Sequence, residues 1–202
     1  HLHSGVVAAG VVMQYLEQTQ HTQLSHITSL RRIEEDRYVR LDNFTVRNLE
    51  LVSSMNEDGI SLLDIIGHTV TPMGARMLRR WMLFPLKDTT KINKRLDVVD
   101  YFFRYPTLRD LVEEHLHHIG DLERIIGRMS TGRVNPRDVI QLSNALQAMV
   151  TIKQECMQAN DETLSQIGSR MELCADIRDR IQREVYPDAP LQINRGNVIR
   201  EG

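Results

Sequence analysis

Apolar residues return every three or four positions along most of this chain, and capping residues, glycines and prolines punctuate the returns. Residues 5–18 carry Val7, Val11, Val12 and Tyr15 on one side and predict a helix. The polar run 19–27 reads as a linker or short turn. Residues 29–33 and 38–41 are short extended candidates around the charged turn Glu34-Glu35-Asp36-Arg37, and they predict a two-stranded β element. From Asp42 onward the pattern is helical. Asp42 is placed to cap a helix running through Asn48, Leu49, Glu50 and Leu51. Residues 56–59 form a loop, and Ser61 caps a short helix over 62–66. Thr71 offers a capping oxygen, Pro72 sits where a missing N–H costs nothing, and Pro85 ends the segment. Between them Met73, Met77, Trp81 and Phe84, widened by Leu78 and Met82, predict a buried helix.

Five further signals follow. Asp88 caps a helix striped by Ile92, Leu96, Val99 and Phe103, which Tyr105-Pro106 breaks. Leu108, Leu111, Val112, Leu116 and Ile119 stripe the next, ended by Gly120. Leu122, Ile125, Ile126 and Met129 stripe another, closed by Gly132. Asn135-Pro136 opens the longest helix, to about Ala159, with Val139, Leu142, Leu146 and Met149 as a seam for a neighbouring helix. Leu173, Ile177 and Ile181 mark the last helix, Pro187 and Pro190 end the helical zone, and 191–200 reads as extended. No period repeats, which disfavours a solenoid. The predicted fold class is mainly α: a multi-helix domain with a small two-stranded β element near the N-terminal side. Every stripe needs a partner, so the helices must pack into one core.

Composition adjusts this picture in three ways. With 202 residues, 41% of them hydrophobic, the chain is large enough for one or two domains with a real core. No apolar run approaches the roughly 20 residues of a bilayer span, and residues 6–13 lack the charged flank and cleavage site of a secretory leader. Cys156 and Cys174 show no metal spacing and fit reduced thiols in a cytoplasmic protein. The net charge of −2 argues against a dedicated nucleic-acid module. Yet the cations are 21 Arg and 4 Lys, and Arg makes forked pairs with carboxylates, so a network of fixed ion pairs is expected. The first residue is His1 and the last stretch, 194–202, is turn-like, which reads as an excised piece of a longer chain.

Candidate chemistry is sparse. His115, His117 and His118 cluster, but a metal site needs further ligands converging from elsewhere. His115 lies in an apolar stripe and reads as a core or boundary residue, with His117 and His118 exposed. Asp121 and Glu123 flank Leu122 at a helix start. Capping, with an ion pair to Arg128 or a neighbouring helix, outweighs acid–base work, and the Arg137/Asp138 pair reads the same way. No phosphate loop of either common type occurs, nor a Ser, Cys or Thr in the setting of an activated nucleophile, so no catalytic, cofactor-binding or metal residue is assigned. Arg76, Arg79, Arg80, Arg128, Arg133 and Arg137 could meet DNA phosphates, but interleaved acids favour intramolecular pairs.

Taken as a set, ordered blocks over about residues 41–142 carry a family signature. They are Leu41-Asp42-x-x-Thr45-x-Arg47-Asn48-Leu49-Glu50-Leu51, then Ser61-Leu62-Leu63, then Thr69-Val70-Thr71-Pro72-Met73-Gly74-x-Arg76-x-Leu78-Arg79-Arg80-Trp81 with Pro85-Leu86. Ile92-x-x-Arg95-Leu96-x-x-Val99, then Gly120-Asp121-Leu122-Glu123-Arg124-Ile125, Arg128, and Gly132-Arg133-x-x-Pro136-Arg137-Asp138 complete it. The chain resembles the core, or lever, domain of the MutS family of DNA mismatch-repair proteins. The resemblance implies that residues 1–27 end a connector domain and its linking helix. Residues 28–186 would form the first part of the helical core, and 187–202 the approach to a DNA clamp. It implies a longer cytoplasmic, dimeric ATPase acting on mismatched duplex DNA, using ATP and magnesium in a domain that is not this one. Within it this segment would couple clamp to ATPase with no activity of its own, against the remaining core, clamp and ATPase domains in cis. The family's catalytic and mismatch-contacting residues carry over to no position here. A stand-alone helical module that binds a partner protein is the alternative, and an all-α enzyme with a His/Glu metal site is a third.

Overall fold

The structure, a computed structural model, describes residues 3–19, 27, 29 and 37–200. It is mainly helical: α1 His3–Gln18, α2 Asn43–Asn48, α3 Leu62–Ile66, α4 Pro72–Leu83, α5 Thr89–Arg104, α6 Pro106–His117, α7 Leu122–Ser130, α8 Pro136–Gln158, α9 Glu162–Arg170 and α10 Ala175–Glu184. The starts are set by side chains that accept the orphan N–H groups of the first turn. Asp42, Ser61, Thr71, Asp88 and Asn135 each do so, as their spacing from the first apolar residue predicts. Ser61 is fully buried and forms a reciprocal box, its hydroxyl accepting from Asp64 N–H at 3.2 Å while its own N–H donates to Asp64 Oδ2 at 2.9 Å.

Helix α8 is the axis of the core. It packs on α6, α7, α9 and α10. Ala145, Ala148, Ile152 and Cys156 on α8 cluster with Ile119 and Leu164, and Met73, Val98, Tyr101, Phe102, Leu116 and Leu122 pack around them. The approach of α9 depends on Gly168: a Cβ there would lie 2.9 Å from Met157 Cγ and 3.1 Å from the Lys153 carbonyl oxygen. Lys153 Nζ donates to the Met171 carbonyl at 2.7 Å, satisfying an acceptor just past the end of α9. Burial pushes the Cys156 thiol above its ordinary value, as expected of a thiol buried in apolar surroundings.

The structure corrects several expectations. The two-stranded element is absent among the described residues. Tyr38 instead forms an antiparallel bridge with the distant Leu86, with Val39 N–H donating to the Pro85 carbonyl at 2.7 Å. The pairing is long-range, which a scan for local hairpins cannot see. Most of the first predicted strand, 29–33, and most of the linker 19–27 lie outside the described residues. Helix α2 stops at Asn48, because Glu50 turns left-handed at φ 46° and Glu50 Oε1 gathers the Ser54 hydroxyl and Met55 N–H. Helix α4 is not buried: Met77 and Trp81 are exposed, and none of its residues is fully covered among the described residues. On α5 the inward face is Val98, Tyr101 and Phe102, while the predicted stripe residues Leu96, Val99 and Phe103 face outward. Helix α9 has no counterpart in the sequence prediction. Residues 191–200 are not a plain extended run: a 3-10 turn spans Ile193–Arg195, and Ile199 bridges back to Val185.

Candidate functional site

Three helix starts converge on one chain of ion pairs. Thr71 Oγ1 accepts the Gly74 N–H at 3.0 Å and opens α4, and Pro72 fixes the first turn. Gly74 leaves room for the cap: a Cβ there would sit 3.1 Å from that capping oxygen. One turn on, Arg76 projects to the start of α7. Its Nη1 and Nη2 donate to Asp121 Oδ2 and Oδ1 at 2.9 and 2.7 Å, and its Nε and Nη2 donate to Glu123 Oε2 at 2.9 and 2.6 Å. One guanidinium thus holds two carboxylates from another helix in a planar fork. Asp121 is at the same time the N-cap of α7, accepting Arg124 N–H at 3.2 Å. Arg76 holds the Asp121 carboxyl below the usual carboxylate range, and the two acids raise the Arg76 guanidinium above its own.

The far end of α7 is tied in turn to α8. Arg128 Nη2 donates to Asp138 Oδ1 at 2.6 Å, and the Asp138 side chain is 8% exposed against 33% for Arg128. Asp138 Oδ2 accepts Asn135 N–H at 3.1 Å while Asn135 Oδ1 accepts Asp138 N–H at 3.0 Å, a capping box. One acid therefore caps α8 and receives α7. Arg128 meets it end-on, so its buried Nε finds no hydrogen-bond partner among the described residues. Between the two tethers Ile125, 0% exposed, seats α7 in the core. Helix α7 is held at both ends, by α4 at the first and by α8 at the second.

The remaining motif residues take supporting places. Asp42 caps α2 through Thr45, whose hydroxyl and N–H hold its carboxyl below the ordinary value. Arg47 and Asn48 close α2, and Glu50 braces the loop after it. The Glu50 carbonyl also accepts the Leu62 N–H, joining α3 to α2. Met73 packs on the core cluster, and Pro85 accepts Val39 across the Tyr38–Leu86 bridge. Pro136 opens α8 and is buried. Arg124 and Arg137 are exposed; the Arg124 charge helps hold the Asp121 carboxyl below its usual range, while Arg137 has no carboxylate partner among the described residues. Trp81 has a partner that sequence reasoning did not pair with it: the Arg95 guanidinium of α5 stacks 3.6 Å from the ring centroid. Both residues stand in the signature, but no spacing rule links two residues on successive helices.

The carboxylates thus serve as caps and ion-pair partners. The expected pairing of Asp121 and Glu123 is realised with the neighbouring helix α4, and Arg128 pairs with Asp138. Among the described residues no three His, Cys, Asp or Glu side chains are placed to hold a metal ion. His115 is half-buried, with His117 and His118 exposed, as the stripe predicts.

A family model described as MutS domain III matches residues 44–201, which include every member of the ion-pair chain. The chain belongs to the MutS family. The DNA mismatch repair protein MutS of Bacteroides thetaiotaomicron is 59% identical over 202 residues, covering 100% of this chain and 23% of that protein. MutS of Bacteroides fragilis is 58% identical and MutS of Porphyromonas gingivalis 56%, again with 100% of this chain and 23% of the relative covered. The chain thus spans about a quarter of the length of the MutS relatives it matches. Among the described residues no helix is long and apolar enough to cross a membrane.

Proposed function

We propose that this chain is the part of a MutS protein that transmits movement between a DNA-holding clamp and an ATPase domain, without chemistry of its own. The observation that carries this reading is the tethering of α7 at both ends. A transmission element must move as a body, and coupling between distant sites requires a packed element with discrete arrangements that both sites bias. The Arg76 fork and the Arg128–Asp138 pair link α4, α7 and α8 into such a body. In this reading residues 1–27 lead in from a connector domain, 28–186 are core, and 187–202 lead toward the clamp. Mismatched duplex DNA, a second subunit, ATP and magnesium belong to the longer protein.

A second feature supports a part over a stand-alone module. Met77 and Trp81 on α4 and Leu96, Val99 and Phe103 on α5 are exposed apolar side chains, as a segment covered by further parts of a longer protein would have. The test is made in the intact MutS protein. Arg76→Glu is expected to lower the stimulation of ATP turnover by mismatched duplex several-fold while basal turnover persists. Charge reversal at Asp121 and Glu123 to Arg in the same protein should restore part of the response. An unchanged response in Arg76→Glu would remove the transmission role, and ATP turnover by the present chain alone would refute the non-catalytic reading.

A further inference from the structure

Among the described residues one buried side-chain donor lacks a hydrogen-bond partner, Arg128 Nε, and it sits in the tether between α7 and α8. A buried N–H left unpaired is costly and rare, and marks strain held in reserve. Nε and Nη2 leave a guanidinium from the same edge, the edge that forks onto a carboxylate. Arg76 turns that whole edge to Glu123, with Nε at 2.9 Å and Nη2 at 2.6 Å. Arg128 uses half of it: Nη2 donates to Asp138 Oδ1 at 2.6 Å, while Oδ2 accepts the Asn135 N–H at 3.1 Å. The fork is incomplete because the carboxylate is shared with the cap of α8. Residues 131–135 alone join the two helices. In that joint Gly132 turns left-handed at φ 68°, its N–H donating to the Met129 carbonyl at 3.1 Å and the Arg133 N–H to the Arg128 carbonyl at 2.8 Å. A Cβ at Gly132 would meet nothing within 4 Å, so no neighbouring element packs on the turn. Arg128 therefore spans the joint twice, by its carbonyl on the near side and by its guanidinium on the far side.

We infer that the Arg128–Asp138 tether is a latch with two settings, and that the transmission proposed above passes between them. In the first, the one described here, Nη2 holds Oδ1 end-on and the capping box is closed. In the second, Nε and Nη2 fork onto both oxygens and Oδ2 leaves the Asn135 N–H, drawing the end of α7 toward the start of α8. Oδ2 exchanges a bond from a neutral donor for a charge-assisted one. The released Asn135 N–H belongs to a half-buried residue and can turn to water. The Asn135 Oδ1 bond to the Asp138 N–H, 3.0 Å here, is kept in both settings, so α8 stays capped throughout. Gains and losses of this kind leave the settings close in energy, which is what a ligand needs in order to shift one to the other. Ile125, fully buried one turn before Arg128, keeps α7 seated while its end moves. The latch rests on the transmission reading and supplies its two discrete arrangements.

The test is Arg128→Lys in the intact MutS protein. Lysine keeps the charge and an end-on bond to Oδ1 but has no planar edge with which to fork. Basal ATP turnover is expected to persist, while its stimulation by mismatched duplex falls about three- to tenfold. Thermal melts of the present chain separate this loss from simple destabilisation. Arg128→Ala leaves Asp138 buried without its cation and should lower Tm by about 5–10 °C, against about 2 °C or less for Arg128→Lys. A tether that only stiffens the fold makes the response follow Tm, nearly normal in Arg128→Lys and lost in Arg128→Ala. A near-normal response in Arg128→Lys would overturn the latch, as would equal Tm losses in the two variants or loss of basal turnover in Arg128→Lys. With a near-normal Arg128→Lys, a weakened response in Arg76→Glu would leave the transmission reading standing without the latch. An unchanged response in both would remove the two together.

Discussion

Helices α4 and α8 begin alike and end up in different surroundings. Each opens on a polar cap followed by proline, Thr71-Pro72 and Asn135-Pro136, and each is tied to α7 by an arginine–aspartate pair near its start. Helix α8 buries Ser143, Ala145, Leu146, Ala148, Ile152 and Cys156, whereas α4 buries none of its residues fully. The segregation of apolar from polar faces runs the other way, being the sharper on α4. A helix covered on several sides needs no single stripe, while a strongly one-sided helix needs one partner. On α4 Met73 packs on the core, while Met77 and Trp81 stay exposed among the described residues.

The largest effect should separate the two regions by packing. Leu164→Ala, beneath α8, should cost about 2–5 kcal/mol in urea unfolding, because it removes buried methyl groups and leaves a cavity. Phe103→Ala, on the open face of α5 and 81% exposed, should stay within about 0.5 kcal/mol. Equal losses would mean that the α4–α5 face is covered in solution. Next come the tethers. Asp138→Ala removes the carboxylate that completes the Asn135 capping box and a buried ion-pair acceptor together, and should cost about 2–3 kcal/mol. Arg76→Ala breaks a half-exposed fork and should cost clearly less, since solvent screens it.

A pH series sharpens the same contrast. The Arg76 guanidinium holds Asp121 below its ordinary value, so the unfolded carboxyl, near pH 3.9, takes up its proton first as pH falls. Unfolding therefore binds protons, and stability drops with pH. This contribution is complete above about pH 4 and is lost as pH falls through the depressed folded value. The Tm gap between the unsubstituted chain and Arg76→Gln should narrow below pH 4, and a constant gap down to pH 2 would contradict the pairing. The smallest effect is optical. Arg95→Gln should shift Trp81 emission by a few nanometres with little change in stability, because the stacked guanidinium shields a ring that is 42% exposed.

Much of the helical grammar was legible because capping is local chemistry. Asp42, Ser61, Thr71, Asp88 and Asn135 each act on an N–H two or three residues ahead, within reach of a one-dimensional reading. The failures share a non-local cause. Helix α5 is apolar on two faces, and which one turns inward depends on α6 and α9 rather than on its own spacing. Helix α9 is short, and its packing rests on what Gly168 leaves room for on α8. The Tyr38–Leu86 bridge joins residues that no local pattern relates. At the candidate site the acids were identified as structural, but the choice of Arg76 for Asp121 and Glu123, and of Arg128 for Asp138, needed the folded geometry.

The fork at Arg76 also sets a timetable. Its acceptors lie 45 and 47 residues later in the chain. At about 5–20 residues per second of synthesis, Asp121 is made about 2–9 s after Arg76. For that interval α4 has its cap and its proline but no tether. The tie between α4 and α7 is therefore a late event of synthesis, closed only once Glu123 has been made.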